Sequence, residues 1–173
     1  WLPRVASGEA LVVLAHQERA ARYRLDRVET TAQRGAAGWT VSGQKSVVPA
    51  ADEADAFIVP AQADGAIALF LIAKDAAGVE VRGYRTQDGG RAGELMLRGA
   101  PAELITTAGL EALELAQDVG IAAVCAEAVG LMDKLLALTV EYMNTRKQFG
   151  VTIANFQALR HRIADVKMQV ELG

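Results

Sequence analysis

Cysteine is nearly absent: Cys125 is the single one in 173 residues, so no disulfide can close within the chain and a reducing compartment is expected. Histidine is almost as scarce. His16 and His161 stand alone, with no metal-ligand spacing around either, and no metal centre is nominated. Cationic excess is lacking too: 18 Lys and Arg meet 21 Asp and Glu, a net charge of −3, where a nucleic-acid partner would want a strongly basic face. No apolar run approaches the roughly 20 residues needed to span a bilayer. The longest, Gly65 to Ala73, is strand-sized, so no membrane span is expected and the localisation is read as cytoplasmic. The chain opens at Trp1 without a charged and then apolar leader; no signal peptide is read, and a piece of something longer is expected. What is present is ordinary globular composition, 51% hydrophobic and 23% charged.

A composition shift divides the chain near residue 108. Residues 1–108 hold 11 of the 16 glycines and all four prolines, with short apolar runs between turn residues. Leu11–Ala15, Trp39–Ser42, Lys45–Val48, Phe57–Ala61, Ala68–Ala73, Val79–Tyr84 and Glu94–Arg98 read as strands. Gly43-Gln44 reads as a tight hairpin, and Ala51–Glu53 and Asp75–Gly78 as longer loops. Short strands at such spacing predict a small antiparallel barrel or sandwich. From Gly109 the period becomes helical: Ile121, Val124, Cys125, Ala128, Leu131, Met132, Leu135, Leu138, Thr139 and Tyr142 share one face. The pattern breaks at Phe149-Gly150. A second helix follows, with Phe156, Leu159, Ile163, Val166 and Val170 on one side and a cap near Asn155. Two such helices enclose no core, and they need further helices from this chain or another copy. The expected fold class is therefore α+β, a β-domain over 1–108 and the first two helices of a bundle over 109–173.

Few motifs survive inspection. Gly38 to Ser46 nearly spells a phosphate-binding loop, but Gln44 intrudes before Lys45 and a strand occupies the loop. No glycine spacing supports a dinucleotide fingerprint, and Cys125 on an apolar helix face reads as core. Two clusters remain. One runs from Glu18 through Arg19, Arg22, Arg24, Asp26 and Arg27 to Glu29, for which a solvated mixed-charge loop is the plain alternative. The other is Arg146-Lys147-Gln148-Phe149-Gly150 with Phe156-Gln157 beyond it, where simple capping of a helix C-terminus competes.

That second string, with Asp165 on the following helix, resembles the acyl-CoA dehydrogenase family. Gly43-Gln44-Lys45 resembles the family's N-G-x-K, with Ser42 in place of Asn. Thr30-x-Ala32 lies twelve residues after Glu18, at the spacing of the family's T-E-P-x-x-G-S-D loop and its following T-x-A. Ala126 to Gly130 matches the start of a family helix, and the resemblance covers essentially the whole chain. Arg22-Tyr23 with Leu25, Tyr84-x-Thr86-x-Asp88-Gly89 and Cys125-Ala-Glu-Ala look most like the branch called pimeloyl-CoA dehydrogenase small subunit.

The resemblance implies a flavin-dependent oxidoreductase that removes an α-proton from an acyl-CoA thioester and passes the β-hydrogen as hydride to FAD. It implies an electron-transfer acceptor and a homodimer or tetramer, or a hetero-oligomer with a paralogous subunit. Gln17, Glu18, Val47, Val48 and Pro49 fall at cofactor positions, as do Arg146, Lys147 and Gln148 for the flavin diphosphate of a neighbouring subunit, and Phe156 and Gln157. Tyr23 and Asp118 fall at substrate positions. Gln17-Glu18-Arg19 replaces T-E-P and Arg22-Tyr23-Arg24 replaces G-S-D. Val47-Val48-Pro49 replaces W-I-T, and Pro49 has no N–H to offer. No base is nominated: in most of the family it is a Glu near the far end, beyond this sequence, Gly120 stands where a minority carries one, and Glu127 reads as structural. The family's D-x-x-R beside the acyl chain keeps Asp118, with Ile121 for the Arg. The alternatives are a non-catalytic partner that completes another chain's flavin site, and a flavin monooxygenase of the same fold.

Overall fold

A computed structural model describes residues 1–172. The chain falls into two compact units, Trp1–Leu115 and Ala116–Gly173. A short helix, α1 (Leu2–Ala6), opens the first, with Pro3 in its first turn where the missing N–H costs nothing. Seven strands follow: β1 (Val12–Leu14), β2 (Thr31–Gly35), β3 (Gly38–Pro49), β4 (Ala56–Ala63), β5 (Ala66–Ala73), β6 (Val79–Arg85) and β7 (Arg91–Thr106). They pair in the order β1-β4-β2-β3-β7-β5, and β5 pairs back onto β4 while β6 joins β7. The ring β4-β2-β3-β7-β5 is thus closed, which leaves those five strands no free edge to aggregate. The β3–β7, β4–β5, β5–β7, β6–β7 and β2–β3 pairs are antiparallel, as expected of the barrel. The β1–β4 pair and the single Thr31↔Gln62 contact of β2 with β4 are parallel.

The interior holds the inward side chains of each strand. Val41, Phe57, Val59, Phe70, Ile72 and Leu95 are fully buried there, and Trp39 packs its ring 5.3 Å from that of Phe70. The β4–β5 hairpin turns at Asp64-Gly65, both left-handed, as the right-twisted strands of a two-residue turn require.

Three expectations need correction here: Cys125, read as core, is exposed. Gly43-Gln44 is not a hairpin: β3 runs unbroken from Gly38 to Pro49, and the reversal lies at Ala36-Ala37, between paired Gly35 and Gly38. Gly43 is instead a point of close approach. A Cβ there would lie 2.5 Å from Thr30 Oγ1 and 2.8 Å from Thr30 Cα, and the β3–β7 register shifts beside it, between Val41 and Gly43. Nor does Asn155 cap the second helix, since its side chain donates to Thr152 Oγ1 at 3.0 Å instead.

In the helical region, α2 (Gly109–Thr145) runs 37 residues, about 55 Å at 1.5 Å per residue. A two-stranded ribbon, β8 (Lys147–Gln148) with β9 (Val151–Thr152), turns at Phe149-Gly150. A 3-10 turn (Ile153–Asn155) leads into α3 (Gln157–Leu172). Most of the anticipated helical stripe is exposed, including Ile121, Val124, Leu131, Leu135 and Leu138, whereas Leu136, Met143 and Val170 are buried. Among the described residues no helix is long and apolar enough to cross a membrane.

Because backbone as well as side chain faces the Cα hydrogens of Gly43, the close approach cannot be relieved by a rotamer change. Gly43→Ala is expected to lower the stability of the β-barrel by about 1–3 kcal/mol through overpacking, read as a shift in the urea midpoint. Gly120→Ala, at a helix position with open space, is the matched control and should not destabilise.

Candidate functional site

Between β1 and β2, residues 15–30 form an irregular loop with no ladder to hold it. Its anchor is an ion pair inside the barrel wall. Lys45, with its side chain wholly out of solvent, places Nζ 2.7 Å from Glu18 Oε1 and donates to the Pro60 carbonyl, also at 2.7 Å. Glu18 Oε1 further accepts from the Thr30 hydroxyl (2.6 Å) and the Thr30 amide (3.1 Å), and Oε2 from the Glu29 amide (2.7 Å). Burial pushes the Lys45 ammonium down to about 8, against the pull of the carboxylate beside it. Glu18 is itself raised by burial, but the bonds from Lys45, Thr30 and the Glu29 amide outweigh this and hold its carboxyl below the usual range. His16 is pushed down by burial and by the Lys45 charge.

Two open clefts flank this wall. One, of about 360 Å³, is lined by Glu18, Arg19, Glu29, Thr30, Gly43 and Ser46 among others. The other, of about 260 Å³, is lined by Gln17, Glu18, Arg19, Arg22, Tyr23, Ser46 and Val47. The second brings together four of the anticipated residues: Gln17, Glu18, Tyr23 and Val47. Glu18 turns its carboxylate into the wall. Gln17 accepts the Ser46 amide through its carbonyl at 2.9 Å, which ties the loop to β3. Val47 lies at φ +52 within a register shift between Lys45 and Val48, and its side chain is 51% exposed. A bulge of this kind re-aims side chains, and here it sends Val47 outward and Val48 into the core. Pro49 is exposed and paired with Ala92.

Sequence reasoning did not single out Glu94, which accepts from Gln44 Nε2 and Tyr84 Oη, each at 3.3 Å, and lies 3.8 Å from Arg19. It joins β3, β6 and the loop, and no local pattern signals such a three-way contact. The burial of Lys45 had one available signal, its even spacing from the inward Val41 on the same strand.

In the helical unit Arg146 follows the end of α2, its amide bonded to Tyr142 and its carbonyl to the Ile153 amide. Arg146 and Lys147 enter no ion pair among the described residues. Gln148 donates to the Lys147 carbonyl (2.8 Å), and Gln157 lies 3.4 Å from His161 Nε2. Phe156 stacks edge-on with the exposed Phe149 at 6.1 Å. Asp118 is exposed on α2, and Gly120, two residues on, has open space beside it.

Removing one partner of a buried pair leaves an uncompensated charge. Lys45→Met is expected to destabilise by about 3–5 kcal/mol, and adding Glu18→Gln should restore part of the loss. Because the folded pKa of Glu18 lies below its free value of 4.5, its stabilisation is complete above that pH and disappears as pH falls through the folded value. Urea midpoints measured down the acid limb should therefore fall less steeply in Glu18→Gln than in wild type.

The family model described as acyl-CoA dehydrogenase, middle domain, matches residues 14–99, and that described as acyl-CoA dehydrogenase, C-terminal domain, matches 107–173. Acyl-CoA dehydrogenase FadE27 of Mycobacterium tuberculosis is 33% identical over 137 residues, 78% of this chain and 36% of its own length. FadE12 of the same species is 28% identical over 100% of this chain and 48% of its own. The structure titled "PigA with FAD and proline" is 25% identical with a TM-score of 0.91, over 99% of this chain and 48% of that one. The chain thus spans half or less of the length of these relatives. With middle- and C-terminal-domain models matched in order along it, the chain belongs to the acyl-CoA dehydrogenase family.

Proposed function

We propose that this chain is part of an FAD-dependent dehydrogenase that introduces an α,β double bond into an acyl-CoA thioester, with 1–108 as its middle domain and 109–173 the start of its helical domain. The finer assignment is to the pimeloyl-CoA dehydrogenase small-subunit branch, on the Arg22-Tyr23, Thr86-x-Asp88-Gly89 and Cys125-Ala-Glu-Ala strings. The observation that carries the reading is the cleft where Gln17, Tyr23 and Val47 meet beside the anchored Glu18. Those residues come from two segments separated in sequence, which fall at the positions of the family's cofactor-contacting strings although their residues differ from T-E-P, G-S-D and W-I-T.

The donors present fit a flavin. Val47, turned outward at the bulge, offers an apolar surface suited to a ring face, while the Gln17 amide supplies a donor at its edge. Arg146 and Lys147, without ionic partners in their own unit, suit a diphosphate, and in this reading they serve the flavin of a neighbouring subunit with Gln148, Phe156 and Gln157. When bound, FAD supplies the hydride acceptor. The chain's own part is to bind, orient and exclude water: Glu18 and Lys45 fix the loop, Val47 backs the ring, and Tyr23 and Asp118 contact substrate. No residue of this chain is assigned as the base. The partners proposed are an acyl-CoA, an electron-transfer acceptor and further subunits, alike or paralogous. Gly120, which has no side chain to serve as a base, supports a second reading in which the chain completes another subunit's flavin site.

Full-length protein loaded with FAD should lose its oxidised-flavin absorbance on anaerobic addition of a dicarboxylyl- or fatty-acyl-CoA. No bleaching with any acyl-CoA would overturn the dehydrogenase reading, and rapid reoxidation by oxygen would point to a monooxygenase. Arg146→Ala should weaken FAD binding about 10- to 150-fold, the worth of one hydrogen bond to a charged group. Arg146→Lys should recover only part, as seen by flavin fluorescence titration.

A further inference from the structure

The four arginines between residues 19 and 27 divide by their partners. Asp26 takes Arg24 in a two-pronged pair at 2.9 and 2.6 Å, and Glu29 lies 3.6 Å from Arg27. Arg22 has no acidic partner among the described residues, and Arg19 reaches only Glu94, at 3.8 Å. Both of these line the cleft of about 260 Å³. The one carboxylate on that wall, Glu18, is already matched by Lys45. The cleft is therefore left with one guanidinium without an acidic partner, that of Arg22, and one, that of Arg19, held only by the 3.8 Å contact with Glu94.

Their placement is set by the backbone. The Ala21 and Arg22 amides both donate to the Glu18 carbonyl, at 3.1 and 3.2 Å, and the Arg24 amide to the Ala21 carbonyl at 3.1 Å. Arg19 and Arg22 thus project from a tight turn whose first residue is pinned by the buried ion pair. Arg22 itself sits at φ +53, a conformation few non-glycine residues adopt. Tyr23 follows with 89% of its surface exposed, on the rim of the same cleft.

We propose that Arg19 and Arg22 bind a phosphate group of a nucleotide-bearing ligand in this cleft, with the Tyr23 ring against the ligand's apolar portion. Planar guanidinium forks match phosphate oxygens in pairs, which an ammonium cannot do. This assignment rests on the flavin and acyl-CoA reading above. Both of those ligands carry phosphates, and the test separates them.

In the full-length holoprotein, calorimetry should compare coenzyme A with pantetheine, which lacks its nucleotide phosphates, for wild type, Arg22→Gln, Arg22→Lys and the Arg19→Gln/Arg22→Gln double variant. Arg22→Gln is expected to weaken coenzyme A binding about tenfold, with a smaller loss in Arg22→Lys and none for pantetheine. The salt dependence of coenzyme A binding should flatten as well. If apoprotein titrations instead show that FAD binding weakens while coenzyme A binding does not, the phosphate is the flavin's and the assignment stands with that source. Unchanged affinity for both ligands in the double variant, at an unaltered thermal midpoint, overturns the subsite and leaves the function intact. Wild-type protein that binds neither ligand overturns the functional reading and the subsite together.

Discussion

One buried charge pair organises the side of the barrel that carries the 15–30 loop. An ammonium with no solvent contact is expensive to bury, and the site meets that cost with a carboxylate at 2.7 Å and a carbonyl at the same distance. Glu18 in turn spends its remaining capacity on Thr30 and on the Glu29 amide. Three segments are tied at one point: the loop at Glu18, β3 at Lys45 and β4, which does not pair with β3, at Pro60. Such a pair adds little net stability relative to apolar packing, but it tolerates few alternative arrangements. The loop has no ladder of its own, so its geometry follows from these bonds.

The clefts follow from the same strand. β3 departs from regular pairing twice, beside Gly43 and between Lys45 and Val48. The first irregularity admits Thr30 to van der Waals distance and so brings the loop's end against the strand. The second reverses the alternation, so that Lys45 and Val48 both point inward while Val47 points out. Without it, a regular pleat would send Val48 outward and bury Val47. In the helical unit, α2 ends at Thr145 and a ribbon that turns at Phe149, φ +52, carries Lys147 and Gln148, with Arg146 just before it.

Much of the fold was legible in local pattern. β4, β5 and β6 were readable because their runs are apolar, bounded and of strand length, although each extends one or two residues beyond the run. The long helix was readable from the three- and four-residue recurrence of apolar residues between Ile121 and Tyr142, with no proline anywhere in Gly109–Thr145. β2 was not readable: of Thr31 to Gly35 only Ala32 is buried, so the segment has no apolar signature. The hairpin was misplaced for a related reason. Gly43-Gln44 carries a turn residue and Ala36-Ala37 does not, yet the reversal is decided by which strands pair, and the glycine serves a close approach.

The site divides along the same line. Residue types and their order along the chain were sufficient to suggest the family and the α+β class, because those properties live in short contiguous segments. The sequence alone could not say that Glu18 would face inward or that Lys45 would be buried. Charged side chains read as surface until a partner is seen, and this partner lies 27 residues away. Which arginines of the loop have an acidic partner and which do not was likewise decided only by the tertiary structure. Adjacent residues of one loop meet different neighbours, and charge compensation depends on distance in space rather than on position in the chain.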